Sequence, residues 1–322
     1  MRRNSSHRAN VALARSPVFH VLGAFLLASW IAALPARAGF PVERMDDRGT
    51  TVRLKSEPRR VVSLAPSLTE VVFLLGQEGK LVGVTRYCNY PLQAKALPKV
   101  GGIADPDIER IVAAAPDLVL CTTDGNPKEK VRALEEMGIP CFAVAPQDLS
   151  GIYAAIERVG ALLGSGDKAR RETGALRARS ARASRKTADP VPSVLFAVST
   201  SPVIAAGGGT FMDELLRLAG GKNAASSFSG RYPRLSVEDL LAARPDLIFV
   251  AAMEGVEKFS PEVTRWKEVP AFRDGEVFSL DGDLVTRPGP RMVEALEGVS
   301  RALDVWRERH RPAAAGKGRG DR

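Results

Sequence analysis

The sequence predicts an α/β protein built from two Rossmann-like lobes joined by a single long helix. Three observations predict it. Short apolar runs alternate with helical patterns from Phe40 onward; a helix-Pro-Asp-strand unit of thirteen residues occurs twice at a constant offset of 129; and the stretch between the copies is helical in pattern with no strand-like run.

Residues 1–17 are polar and basic, Val18 to Leu34 are almost continuously apolar, and Ala36-Arg37-Ala38 supplies a small-x-small pattern. This reads as a cleavable secretory signal peptide, a membrane anchor being the alternative for an apolar run of this length. Pro35 directly after the run suits the signal, and no cysteine near the cleavage point offers a lipid-attachment site. Phe40 to Leu54 about Asp46-Asp47-Arg48-Gly49 predicts a hairpin. Strands are then expected at Val61–Ala65, Leu81–Val84, Leu118–Cys121 and Cys141–Ala145, with helices at Ser67–Gly76, Asp107–Ala114 and Lys128–Met137. Ser67-Leu68-Thr69-Glu70, directly after Pro66, has the pattern of a capping box. From Leu149 to Ala188 two helical stretches meet at Gly164-Ser165-Gly166-Asp167, and residues 167–187 have the length of a helix of about 30 Å, a stiff strut.

The second half repeats the grammar of the first. Residues 108–120 match residues 237–249 with six identities in thirteen positions, and Glu109 and Glu238 occupy the same place in each copy. A looser echo pairs Thr69-Glu70-Val71-Val72 and Gly76 with Asp213-Glu214-Leu215-Leu216 and Gly220. Two related lobes are the simplest account, convergent helix-Pro-Asp-strand grammar the alternative. The resulting organisation is a signal peptide at 1–38, an N-terminal lobe at 39–148, a helical linker at 149–188, a C-terminal lobe at 189–310 and a basic tail at 311–322 expected to be disordered.

Charge and composition exclude several functions. The chain carries +9 overall, but residues 39–310 hold 37 basic and 36 acidic side chains, too even a balance for a nucleic-acid face. His7 and His20 fall in the N-terminal segment and His310 ends the last expected helix, so His-dependent catalysis and His-rich zinc sites have no basis. Export would place Cys88, Cys121 and Cys141 in an oxidising compartment; a Cys88–Cys121 disulfide is the favoured pairing, three buried free thiols the alternative.

Two facing α/β lobes bind ligands between them, in the loops that follow their strands. Tyr87, Tyr90 and Tyr232, three of the chain's four tyrosines, fall in these loops, where a flat apolar ring with one polar tip suits stacking on a large ligand; packing under an adjacent helix is the alternative for each. Ser67 sits in the first loop. Gly207-Gly208-Gly209-Thr210 lacks the sequel of a phosphate loop, so Gly208 is read as a close backbone approach to ligand and Thr210 as a helix N-cap. Arg86, Arg231, Arg287 and Arg291 are placed to meet anionic groups, Arg291 being equally suited to a structural ion pair.

Arg60-Val61-Val62-Ser63-Leu64-Ala65-Pro66-Ser67-Leu68-Thr69-Glu70, Tyr87-Cys88-Asn89-Tyr90-Pro91, Gly209-Thr210-Phe211-Met212-Asp213-Glu214 and Arg287-Pro288-Gly289-Pro290-Arg291 resemble the periplasmic cobalamin-binding proteins of ABC importers, over about residues 40–310. The resemblance implies a helical-hinge solute-binding fold shared with siderophore and haem binders. It implies that Glu109 and Glu238 dock on the membrane permease, that Tyr87 contacts the corrin, and that Tyr232 falls where a contacting tryptophan occurs. Two other tryptophan positions hold Ile103 and Thr122, and neither Trp266 nor Trp306 lies in an expected cleft loop. The reading is therefore a monomeric periplasmic carrier that takes cobalamin or a related corrinoid as cargo, with Tyr87, Tyr90, Ser67, Tyr232, Gly208, Arg231 and Arg287 as ligand contacts. It has no catalytic residues, no resident cofactor or metal and no nucleic-acid partner. A ferric siderophore, and after it haem, are the alternative cargoes; an exported enzyme and a ligand sensor for a membrane receptor are the alternatives from other classes.

Overall fold

The computed structural model describes residues 39–185, 188–252 and 267–311. The signal-peptide segment, the tail from residue 312, Trp266 and the end of the expected strut at residues 186–187 lie outside the described residues.

A hairpin of β1 (Val42–Met45) and β2 (Thr51–Leu54) opens the described chain. Buried Asp46 anchors it, accepting hydrogen bonds from the Thr50 amide at 3.0 Å and the Ala143 amide at 3.2 Å. The first lobe follows as β3 (Val61–Ser63), α1 (Pro66–Leu74), β4 (Leu81–Val84), α2 (Ile108–Ala113), β5 (Leu118–Thr122), α3 (Lys128–Glu136) and β6 (Cys141–Val144). Helices α4 (Leu149–Leu162) and α5 (Gly166–Ala183) connect it to the second lobe. That lobe contains β7 (Ser193–Thr200), β8 (Val203–Ala205), α6 (Phe211–Leu218), β9 (Lys222–Asn223), α7 (Val237–Ala243), β10 (Leu247–Ala252), α8 (Pro270–Arg273), β11 (Val277–Asp281), α9 (Gly282–Val285) and α10 (Met292–His310).

The first sheet is fully parallel in the order β4-β3-β5-β6. In the second, β9, β7, β10 and β11 run parallel in the same relative order, and β8 adds an antiparallel edge to the far half of β7. Both sheets are buried on both faces, so their strands read as apolar runs, while side chains still alternate by face. Leu118 and Leu120 join one core cluster and Val119 and Cys121 another; Leu247, Phe249 and Ala251 divide likewise from Ile248 and Val250.

The sequence repeat is a structural repeat. Helices α2 and α7 begin 129 residues apart, as do β5 and β10. The two non-glycine residues with left-handed backbone among the described residues, Ala115 (φ 42°) and Arg244 (φ 44°), are separated by the same offset. Each ends its helix and hands the chain to a Pro-Asp pair, whose aspartate staples the start of the neighbouring strand. Asp117 accepts from the Arg59 and Arg60 amides at 2.7 and 2.9 Å, and Asp246 from the Ser193 amide at 2.8 Å. The looser echo also holds: α1 and α6 both run into glycines in left-handed conformation, Gly76 (φ 65°) and Gly220 (φ 78°).

Three local expectations are corrected. No capping box forms at Ser67: Pro66 occupies the first helical turn, Ala65 stands at the N-cap without a side-chain bond, and Glu70 is buried inward instead. The two helical stretches expected from 149 to 188 form, packed on each other through a Tyr153–Ser180 hydroxyl contact of 2.6 Å, but the second, α5, ends at Ala183, short of the expected strut. Finally, Cys88, Cys121 and Cys141 are all free and buried. Cys88 belongs to the core on one face of the first sheet and Cys121 to that on the other, so the sheet itself separates the expected disulfide partners. Burial pushes the Cys121 thiol up to about 12 and that of Cys141 up as well. Thiol titration of the native protein should therefore give almost no rapid reaction, and titration in denaturant should give three thiols; two missing equivalents in denaturant would contradict this arrangement.

Candidate functional site

Parallel strands deliver all their following loops to one edge, and the loops of the two lobes meet around a cavity of about 410 Å³. The first lobe contributes Ala65, Pro66 and Ser67 after β3, Tyr87 and Ile103 after β4, Thr122 and Asp124 at the end of β5, and Pro146 after β6. The second contributes Phe211 at the start of α6, Arg231 and Tyr232 before α7, and Asp283, Thr286, Arg287 and Pro288 around the end of α9.

Each wall is held by bonds that the loops make to one another. Asn126 is 6% exposed and ties three of them: its Oδ1 accepts from the Thr122 amide at 2.8 Å, while its Nδ2 donates to the Leu64 carbonyl at 3.1 Å and the Ile103 carbonyl at 2.8 Å. On the opposite wall the Thr210 hydroxyl caps α6, accepting from the Asp213 amide at 3.1 Å. The Gly207 amide donates to the Arg231 carbonyl at 2.8 Å, and a Cβ on Gly207 would stand 2.7 Å from the Gly230 carbonyl oxygen, so only glycine lets these loops meet.

Arg287 bridges the lobes. It reaches Asp283 at 2.5 Å on its own side and donates to Asn89 Oδ1 at 2.8 Å and the Tyr87 carbonyl at 3.3 Å on the other, while Asn89 Nδ2 donates to Asp283 at 2.6 Å. The cavity thus joins a polar corner at Arg287 and Asp283 to an apolar surface of Tyr87, Ile103, Phe211 and Tyr232. Arg231 sits exposed on the rim, its guanidinium without an ion-pair partner among the described residues. Burial raises the Tyr232 phenol above its ordinary value, partly offset by Arg231 beside it. Arg86 instead forms an exposed pair with Asp105 at 2.6 Å, off the cavity. No group of three His, Cys, Asp or Glu side chains among the described residues is placed to hold a metal ion.

Of the ligand contacts expected from sequence, the structure gathers Ser67, Tyr87, Tyr232, Arg231 and Arg287 on the cavity. Tyr90 and Gly208 lie off it. The Tyr90 ring is stacked under the Arg291 guanidinium at 3.9 Å, and Gly208 packs toward the Ser226 carbonyl, its close approach being to protein backbone. Ile103 and Thr122 are lining residues. Glu109 and Glu238 are away from the cavity, exposed in the first turns of α2 and α7. Sequence reasoning did not single out Phe211, Asp124 or Asn126; Asp124 and Asn126 lie in the loop after β5 and Phe211 opens α6, on the edge where the other contacts were sought.

A model for the periplasmic binding protein family matches residues 61–284. The chain belongs to that family. A vitamin B12-binding protein of Vibrio campbellii is 31% identical to this periplasmic binding protein over 256 residues, covering 78% of this chain and 91% of the relative. An uncharacterized ABC transporter substrate-binding lipoprotein of Bacillus subtilis, YvrC, is 32% identical over 280 residues, 84% of this chain and 88% of the relative. Among solved structures, the periplasmic vitamin B12 binding protein BtuF of Vibrio cholerae superposes with a TM-score of 0.64 at 27% identity, covering 77% and 97% of the two chains. The apo periplasmic heme-binding protein RhuT from Roseiflexus sp. RS-1 superposes with a TM-score of 0.70 at 29% identity, covering 77% and 98%.

Asn126→Ala would leave two carbonyls and one amide of the cavity wall unpartnered. We expect a loss of about 1–3 kcal/mol in denaturant unfolding; an unchanged midpoint would show that the three loops do not depend on this side chain.

Proposed function

We propose that the protein is an exported carrier that captures cobalamin or a related corrinoid between its lobes and delivers it to the permease of an ABC importer. The observation that carries the reading is the cavity itself: both lobes line it, and Tyr87, Tyr232 and Phe211 give it the ring surfaces that a large, mostly apolar macrocycle needs. Relatives named vitamin B12-binding proteins, similar over about nine tenths of their length, support the choice of corrinoid. Ring stacking would supply most of the affinity, with Arg287, Ser67 and the loop amides addressing the ligand's polar periphery. In this reading the ligand is cargo rather than a resident cofactor or a substrate that is turned over.

Export by the N-terminal segment would place this carrier in the periplasm as a monomer. Docking on the permease is assigned to Glu109 and Glu238. The repeat supports this, since it sets the two carboxylates at equivalent, exposed positions on related lobes, a pattern suited to a partner with its own approximate two-fold symmetry. A ferric siderophore is the second reading, favoured by Arg231, which has no ion-pair partner among the described residues, and by Arg287 on the cavity.

Calorimetric titration of the ligand-free protein with cyanocobalamin, cobinamide, a ferric siderophore and haem tests the cargo. One-to-one binding of a corrinoid is expected, weakened about tenfold or more by Tyr87→Ala, which removes a stacking face; binding of the siderophore alone would replace the corrinoid reading with the second one. The permease surface is tested separately. Glu109→Ala combined with Glu238→Ala should leave solution affinity unchanged and lower uptake in cells, and unimpaired uptake would refute the docking assignment.

A further inference from the structure

Behind the cavity lies a buried charge cluster that ligand capture does not itself require. Glu70, on α1 of the first lobe, is 4% exposed. Its Oε1 stands 3.7 Å from Arg287 and 3.8 Å from Arg291, both on the second lobe, beyond hydrogen-bond reach of either. Glu70 Oε1 and Arg291 Nε are two of the three buried side-chain polar atoms without a hydrogen-bond partner among the described residues. The lobes touch at this point: a Cβ on Gly289, between the two arginines, would stand 3.1 Å from the Ser67 side chain and 3.6 Å from Glu70 Oε2. The segment that carries Arg287 to the cavity therefore rests directly on the helix that carries Glu70.

We propose that Glu70 is the positioning residue that sets how closely the second lobe's Thr286–Arg291 segment seats against the first lobe, and that its ionisation state controls the closure of the cleft. The proposal deepens the carrier reading and rests on it for the ligand part alone.

The physical reason is an imbalance. Two cations face Glu70, but neither donates a hydrogen bond to Oε1, so the attraction does not make good the loss of water around a buried carboxylate. Every charged group around it enters the balance: Arg291 and Arg287 favour the anion, whereas Glu294 on α10 and Asp283 on α9 oppose it. Asp281, at the end of β11, shares Arg291 at 3.9 Å and so draws on the same cation. Burial dominates, raising the Glu70 carboxyl from 4.5 to about 7. A carboxyl held above its ordinary value when covered binds its proton more tightly covered than exposed. Seating of the segment is then coupled to proton uptake, fully favoured below about pH 4.5 and progressively lost as the pH rises through about 7.

Two measurements on the mature protein test this. Spin labels at the exposed positions Gln93→Cys and Ser227→Cys report the separation of the lobes by pulsed dipolar spectroscopy without any ligand. The separation should lengthen between about pH 5.5 and 8 in the parent and stay constant in Glu70→Gln, which keeps the shape and removes the titration. Calorimetry with cyanocobalamin over the same range should show affinity falling about threefold or more in the parent and a flat profile in Glu70→Gln. Arg291→Gln, which removes one of the facing cations, should raise the Glu70 carboxyl further and move the loss of closure toward higher pH. Equal pH responses in the parent and Glu70→Gln overturn the proposal. If cyanocobalamin fails to bind at any pH, the carrier reading falls while the ligand-free separation still decides the role of Glu70.

Discussion

An unbroken apolar core runs from Val61 and Leu120 in the first sheet through Ile152, Leu176 and Leu303 to Phe196 and Phe249 in the second, and it is what makes the two strand edges face each other. Helices α4, α5 and α10 carry it across, with the Arg179–Glu297 pair at 3.0 Å and the bond from Ser300 to the Ala183 carbonyl at 2.8 Å at its margin. Close-packed cores resist sliding, because any large displacement opens voids or forces overlap. Movement of one lobe against the other is therefore small, and the larger adjustment is left to the loops and to the segment that bridges them.

Within that body the two lobes solve the same problem in the same way. A short helix ends in a left-handed residue, a proline prevents its continuation, and an aspartate ties the next strand to its neighbour. Ala115 and Arg244 accept a conformation that costs a side chain about 1–2 kcal/mol, which the Asp117 and Asp246 staples help to offset. The repeated corner fixes where α2 and α7 end, and the N-caps Asp107 and Ser236 fix where they begin, which sets the positions of Glu109 and Glu238. Surface symmetry thus follows from a backbone requirement inside each lobe.

The polar groups are distributed unevenly. Most ion pairs lie on the surface, where they contribute little, whereas the Glu70, Arg287 and Arg291 cluster is enclosed where the lobes meet. A fully apolar junction would hold the lobes more firmly. Here the unsatisfied pairing sits beside the cavity, so buried charged groups without full hydrogen-bond partners lie next to the part of the molecule that must admit and release a large ligand.

The sequence by itself determined what depends on short-range chemistry. Apolar runs placed the strands, Thr210 and Asp107 marked helix starts, and the 129-residue offset already disclosed the duplicated corner. It also placed Ser67, Tyr87, Arg231, Tyr232 and Arg287 in loops of one edge. Tertiary structure decided what depends on which groups face each other across more than a hundred residues. The burial of Cys88 and Cys121 in cores on opposite faces of the first sheet, the stacking of Tyr90 on Arg291 off the cavity, and the enclosure of Glu70 beneath a glycine from the other lobe all arise from packing between distant segments. Local pattern reports the preferences of a residue and its near neighbours; burial and charge pairing are set by partners that only the folded chain supplies.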